Sequence, residues 1–313
     1  MDGVLMGFSV IAVPVLIGVV TCLLAPETAQ KMRTGITPLV YFIANPLLMV
    51  IVVADTDVRA VAGIYTPLAL GVALLSAAVF TLYGVLARRS RAQIAVGAMS
   101  ASYANAGNMG VPIALYVVGS TAPVVAVLLA QLLFLAPLYI TVFGLIRGAQ
   151  SGETSARRRA VTIVRSVLNP ITLGVVVGAL FSLLRWRPPE MLWEPITMIG
   201  QSSIPLMLLA FGIALAQQRP FAERSAVGDD VVGIACKLVV MPLAAWVLGG
   251  PVFGLTGAEL LGVVAMAALP TAQNVFIFAA HHGMPTTTAK DITFATSVLS
   301  LPVVMLAAWL LGA

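Results

Sequence analysis

The 313-residue chain is 60% hydrophobic and 9% charged, with 17 Lys+Arg against 12 Asp+Glu and a net charge of +5. Soluble domains carry about 25% charged and about 45–50% apolar residues, so a mean hydropathy of +1.04 excludes a soluble globular enzyme and a disordered chain. No polar stretch is long enough for a soluble domain on one anchor. The apolar runs are also too long and continuous for barrel strands, which are about ten residues of alternating polarity.

Ten apolar runs can each cross about 30 Å of hydrocarbon. They lie near residues 4–24, 34–54, 66–87, 93–118, 122–146, 161–184, 195–216, 231–249, 258–280 and 292–312. The predicted fold is an all-α polytopic membrane protein with ten transmembrane helices.

The first run follows Met1-Asp2-Gly3, with no Lys or Arg before Lys31. A signal peptide opens on a basic segment, so this run reads as a retained helix. The second contains Asn45-Pro46, which bends or breaks a helix or merely packs. The fourth reads Asn105-Ala-Gly107-Asn108-Met-Gly110-Val-Pro112, a poor continuous helix by propensity. The fifth holds Gln131, the sixth begins around Asn169-Pro170, and the seventh carries Gln201, Ser202 and Ser203. These polar groups line a cavity or bond neighbouring helices.

Lys237 is six residues into the eighth run, roughly 9 Å deep at 1.5 Å per residue. It either snorkels to the interface or acts as a fixed charge that attracts an anion or holds a mobile helix. The ninth run places Pro270-Thr271-Ala-Gln273-Asn274 near mid-depth and ends at His281-His282, an interfacial pair read as a polar helix end rather than a proton-coupling group. Cys22 and Cys236 lie alone in separate runs and suggest neither a disulfide nor a metal site.

Loop charges orient the chain, because Lys and Arg are retained on the cytoplasmic side. The odd connections, with Arg165 just inside the sixth run, hold Lys31, Arg33, Arg88, Arg89, Arg91, Arg147, Arg157, Arg158, Arg159, Arg165, Arg219, Arg224 and Lys290. The even ones hold Arg59, Arg185 and Arg187. This asymmetry faces both termini outward (extracellular or periplasmic) and makes the basic excess a topology signal, not a nucleic-acid surface. The chain is expected in the plasma (inner) membrane of its cell as a multi-pass protein.

Halves recur. Pro14-Val-Leu-Ile-Gly18 matches Pro170-Ile-Thr-Leu-Gly174, Pro46-Leu-Leu matches Pro205-Leu-Met, and Pro137 matches Pro302. Residues 1–146 and 161–313 are therefore read as two five-helix repeats around a basic cytoplasmic connection at 147–160. Five is odd, so the second repeat enters the membrane from the opposite side. Inverted repeats with corresponding interrupted helices point to a transport site, here in the fourth and ninth helices.

No Asp or Glu falls at the middle of any run; Asp55, Asp57 and Glu259 lie at ends. Anion binding would then rest on Asn, Gln, backbone amides and Lys237. No nucleophile–His pair, Asp pair or metal spacing supports an enzyme, and no cofactor is expected.

Together, Asn45-Pro46-Leu-Leu, Gly107-Asn108-Met-Gly110-Val-Pro112, Leu168-Asn169-Pro170, Ile204-Pro205-Leu206 with Phe211-Gly212, Lys237-Leu-Val-Val-Met-Pro242 and Ala267-Ala-Leu-Pro270-Thr271-Ala272 resemble the auxin efflux carrier family over essentially the full length. This family includes the bacterial relatives of the plant PIN auxin carriers. The resemblance implies a scaffold part and a transport part, with the fourth and ninth helices crossing where they break. It also implies elevator-like carriage of organic anions such as malate, malonate or an auxin-like acid.

By that resemblance, an Asn beside the fourth-helix break contacts the substrate carboxylate, and its counterpart is Asn105. The family's proline just before it is Ala104 here. The expected site is Asn105, Gly107, Asn108 and Gly110 facing Thr271, Gln273 and Asn274, with Pro112 and Pro270 as helix breakers and Asn45 and Lys237 in support. A homodimer through the scaffold helices is an expectation of the family alone. The rival readings are a sodium-coupled carrier of related ten-helix fold and a channel or sensor without alternating access.

Overall fold

The computed structural model describes residues 2–151, 170–217 and 227–311. Residues 161–169 of the sixth apolar run lie outside them. So do Arg157, Arg158, Arg159, Arg165, Asn169, Arg219 and Arg224, and with them most of the 147–160 connection.

The described chain is helical throughout. We label α1 Asp2–Leu24, α2 Pro26–Ala54, α3 Val58–Leu86, α4 Arg91–Ser102, α5 Ala106–Val118 and α6 Ala122–Gly148. After the undescribed segment come α7 Pro170–Leu184, α8 Glu190–Gln217, α9 Val227–Val252, α10 Gly257–Ala267, α11 Gln273–His281 and α12 Thr287–Leu310. Among the described residues, six helices are long and apolar enough to cross a membrane: α2, α3, α6, α8, α9 and α12. Shorter apolar helices occur at Ser9–Leu24, Ala106–Val118, Pro170–Leu184 and Gly257–Ala267.

Prolines shape these helices without ending them. One-turn π segments occupy Val40–Ala44, Val61–Tyr65, Ala106–Gly110, Gln131–Leu135 and Cys236–Val240. Each stops two residues before a proline: Pro46, Pro67, Pro112, Pro137 and Pro242. A proline has no N–H to donate and its ring collides with the carbonyl four residues back. Widening the preceding turn relieves that collision and keeps the helix running. Asn45-Pro46 therefore modulates α2 and does not break it.

The chain forms two compact units. The first comprises Met1–Ile64, Gly107–Ala126 and Leu168–Gln218; the second comprises Tyr65–Ala106, Val127–Val167 and Arg219–Ala313. Each draws on both halves of the sequence.

In the first unit, glycines let backbones touch. A Cβ on Gly18 of α1 would collide with the Leu209 carbonyl of α8, and one on Gly212 with the Val15 carbonyl. A Cβ on Gly174 of α7 would collide with the Pro46 carbonyl of α2. Small residues at helix crossings allow the close van der Waals packing on which membrane helices depend.

The second unit packs α3, α4, α6, α9, α10, α11 and α12 around a core that includes Leu68, Phe80, Met99, Phe143, Val264 and Val275. The Phe80 ring fills the space a side chain at Gly97 would need, and Ile292 does the same at Gly233. Large exposed apolar side chains such as Leu24, Leu82, Leu184, Val239 and Trp309 contrast with fully buried, hydrogen-bonded Ser76, Ser100, Lys237 and Thr296. That distribution suits a hydrocarbon solvent, in which backbone and side-chain polar groups must find partners inside the protein.

Candidate functional site

Two helices of the second unit stop in mid-course, at the fourth and ninth apolar runs. α4 ends at Ser102, and Tyr103, Ala104 and Asn105 are extended or irregular before α5 begins at Ala106. α10 ends at Ala267, and residues 268–272 are non-helical before α11. The two breaks pair as a short antiparallel bridge between Ala104 and Thr271. The Asn105 N–H donates to the Pro270 carbonyl at 2.8 Å, and the Ala272 N–H donates to the Tyr103 carbonyl at 3.0 Å.

Buried polar side chains hold the bridge. Gln131 of α6 donates from Nε2 to the Ala104 carbonyl at 2.7 Å. Thr271 donates from Oγ1 to the Ser100 carbonyl at 2.6 Å. The Thr271 N–H donates to Oγ1 of Thr296 in α12 at 3.0 Å. The Ser76 hydroxyl of α3 sits 2.8 Å from the Ala101 carbonyl and 3.1 Å from the Cys236 carbonyl, joining α4 to α9. Helix ends leave unpaired carbonyls and amides, and these side chains satisfy several of them.

Lys237 belongs to the same assembly. Its side chain is fully buried, and Nζ donates to the Ala267 carbonyl at 2.8 Å, at the last residue of α10. It also lies 3.0 Å from Met241 Sδ. This corrects the snorkelling alternative: the amino group turns inward to the C-terminal, negative end of a broken helix. The π turn Cys236–Val240 carries it there.

Asn105 differs from its neighbours. Its main chain is engaged with Pro270, yet its side-chain amide bonds to no described residue, although Asn105 is only 5% exposed. Thr271 is fully buried and its hydroxyl proton is taken by Ser100. Gln273 is half-buried and Asn274 exposed, both in the first turn of α11, whose N-cap residue Ala272 supplies no side-chain cap. The amides of that turn are therefore open to an anion.

The remaining predicted residues fall elsewhere. Gly107, Asn108 and Gly110 lie in the π turn that opens α5 and belong to the first unit, where Asn108 Oδ1 accepts a long 3.4 Å bond from Asn45 Nδ2. Pro112 does not mark the break. It lies inside α5, accommodated by the Ala106–Gly110 π turn, while the unwound residues are seven or more positions earlier. Pro270 does lie in a break, and its missing N–H is one the bridge does not use.

Three buried carboxylates escaped the sequence reading. Asp229 and Asp230, 3% and 0% exposed, lie in the first turn of α9, and Asp291, 2% exposed, lies in the second turn of α12. Asp229 accepts from Arg89 Nε at 2.8 Å and from the Tyr83 hydroxyl at 3.0 Å. Their position at the edges of apolar runs made them look interfacial. At the end of α11, His281 is exposed, while the C-cap residue His282 is buried, its Nδ1 2.9 Å from the Phe278 carbonyl. Burial lowers the His282 pKa from the ordinary histidine value, the Phe278 contact opposing and His281 and Arg147 adding to the shift.

A family model described as Membrane transport protein matches residues 28–308. A Rhizobium meliloti (strain 1021) protein named "Putative malonate transporter" is 29% identical over 238 residues, covering 73% of this chain and 70% of that relative. An Oryza sativa subsp. japonica protein named "Probable auxin efflux carrier component 5b" is 27% identical over 165 residues, covering 50% of this chain and 44% of that relative. With a family match over most of its length, the chain belongs to the auxin efflux carrier family of membrane transport proteins, and it is a transporter rather than an enzyme.

Proposed function

We propose that the protein is a secondary transporter of a small organic anion, a dicarboxylate such as malonate or malate or an auxin-like acid, working by elevator-type alternating access. The observation that carries this reading is Asn105: a 5%-exposed amide at the bridge between two helix breaks, with no described partner for its side chain. A carboxylate at the bridge would supply that amide with a partner, and a hydrogen bond to a charged group contributes about 1.5–3 kcal/mol. The uncapped amides at Gln273 and Asn274 add donors and the positive end of a helix dipole. The malonate and auxin names of the two relatives support a carboxylate.

The proposed topology is ten crossings in two inverted repeats, 1–146 and 161–313, with both termini outward. Corresponding positions in the two halves make corresponding contacts, which supports it. Gly18 of the first crossing packs on Leu209 of the seventh, and Gly174 of the sixth packs on Pro46 of the second. The second unit holds both breaks and would be the moving part.

Ligand-dependent thermal shift and proteoliposome uptake with malonate, malate, lactate and indole-3-acetate test the assignment. At least one acid stabilises the wild type, and Asn105→Ala weakens that response about tenfold or more, the value of one hydrogen bond to a charged group. Unchanged affinity in Asn105→Ala refutes the site.

A further inference from the structure

Lys237 carries a fully buried amino group whose hydrogen-bond partners are a carbonyl and a thioether, Ala267 O at 2.8 Å and Met241 Sδ at 3.0 Å. No carboxylate is among them. The acidic groups on its own helix are Asp229 and Asp230, eight and seven residues earlier and so about 10–12 Å away along the axis. Asp229 is engaged by Arg89 and Tyr83. The elements packed around this turn bring Tyr83 at the end of α3, Arg91 at the start of α4 with Tyr103 after it, Lys290 and Asp291 at the start of α12, and Glu259 at the start of α10, where Glu259 accepts from Tyr65. His281 and His282 lie at the far end of α11.

A buried charge is costly unless paired. The half-charge at the C-terminus of α10 offsets part of that cost for Lys237, and a full counter-charge is absent from its partners. Ala267 is three residues from Pro270, whose carbonyl holds Asn105. An anion bound at the bridge therefore brings negative charge to the helix end that Lys237 caps. Anion and proton then favour each other's binding, reciprocally and by the same factor.

Resting on the carboxylate reading above, we propose that Lys237 is the proton-carrying group of transport. The amine takes one proton from the aqueous phase as the anion binds and releases it on the opposite side as the anion leaves. One proton accompanies each anion, and the amine returns neutral. The lysine is a positioning and coupling group and touches the anion only through the charge it supplies.

The test is calorimetric titration of malonate into the purified full-length protein from pH 7.5 to 9.5, where malonate stays fully ionised and the histidines stay neutral. Buffers of different ionisation enthalpy count the protons taken up. The wild-type Kd is expected to rise toward about tenfold per pH unit at the alkaline end, with close to one proton bound per anion. Lys237→Gln keeps a donor for Ala267 and is expected to bind at least tenfold more weakly at pH 7.5 with no pH slope. Lys237→Arg, always charged, is expected to bind with no slope.

Wild-type binding that is flat with pH and takes up no proton overturns the proposal and leaves the carboxylate site standing. A Lys237→Gln protein that keeps the wild-type slope also overturns it. Failure of the wild type to bind malonate, malate or indole-3-acetate at any pH overturns the carboxylate reading and this inference with it. The wild-type slope and proton count decide the matter even if a variant does not fold.

Discussion

The backbone N–H of Asn105 donates to the carbonyl of Pro270 at 2.8 Å, joining residues 165 positions apart. Two interrupted helices thereby lend each other the partners that interruption removed. The break in α4 and α5 needs the break between α10 and α11, so the two are one structural feature.

This pairing uses the N–H groups of Asn105 and Ala272, while the Ala104 N–H makes no bond among the described residues. Tyr103 has φ −95° and ψ 100°, the extended conformation that tolerates a following proline. Ala104→Pro is therefore expected to fold and transport like the wild type. Ala272→Pro removes the bond to Tyr103 and should lower stability by about 1–3 kcal/mol. Melting temperatures and uptake rates of the two variants, side by side, check the contrast.

Thr296 is the acceptor for the Thr271 N–H, and both residues are fully buried. Thr296→Val keeps the shape and leaves that N–H unpaired, a loss of about 1–3 kcal/mol. Thr296→Ser keeps the acceptor and should restore most of the stability. Thermal unfolding in detergent reads both, and equal melting temperatures for Val and Ser would contradict the bond's role.

Much of this architecture was legible in the sequence. Where the structure describes them, the apolar runs are helical, as hydrocarbon demands, and the fourth and ninth are interrupted. The place of the fourth break was less legible. Pro112 looked like the breaker, but a π turn absorbs it, and the chain unwinds at Tyr103–Asn105 where Gln131 and the 270–272 segment supply partners. Lys237 and Ala267 are 30 residues apart, and hydropathy says nothing about which way a lysine turns. Asp229, Asp230 and Asp291 sit where runs end, and only the packing of α9 and α12 buries them.

Gly18 and Gly174 occupy matching places in the proposed repeats, each against a backbone carbonyl of α8 or α2. Overpacking a tight contact costs about 1–3 kcal/mol. Gly18→Val and Gly174→Val should each lower the melting temperature, while Gly71→Val in α3, where a Cβ meets open space, should not. Equal behaviour of all three would contradict the close crossings.

His282 favours its neutral form, because burial lowers its pKa below the ordinary 6.5. The unfolded chain then binds the proton more readily than the folded one. The stability this residue contributes is full above pH 6.5 and falls as pH drops from there toward the lowered folded value. His282→Gln should reduce the loss of melting temperature between pH 7 and pH 5, and an unchanged loss would contradict the assignment.

Counterflow tests the central claim most directly. Proteoliposomes loaded with unlabelled malonate are diluted into a trace of labelled malonate, and accumulation of label is followed for wild type and Asn105→Ala. The wild type should accumulate label transiently above the equilibrium level, as a carrier with one alternating site must, and Asn105→Ala should show a small fraction of that overshoot. Label that equilibrates with no overshoot in the wild type, or an undiminished overshoot in Asn105→Ala, would contradict a carboxylate carrier built on the paired helix breaks.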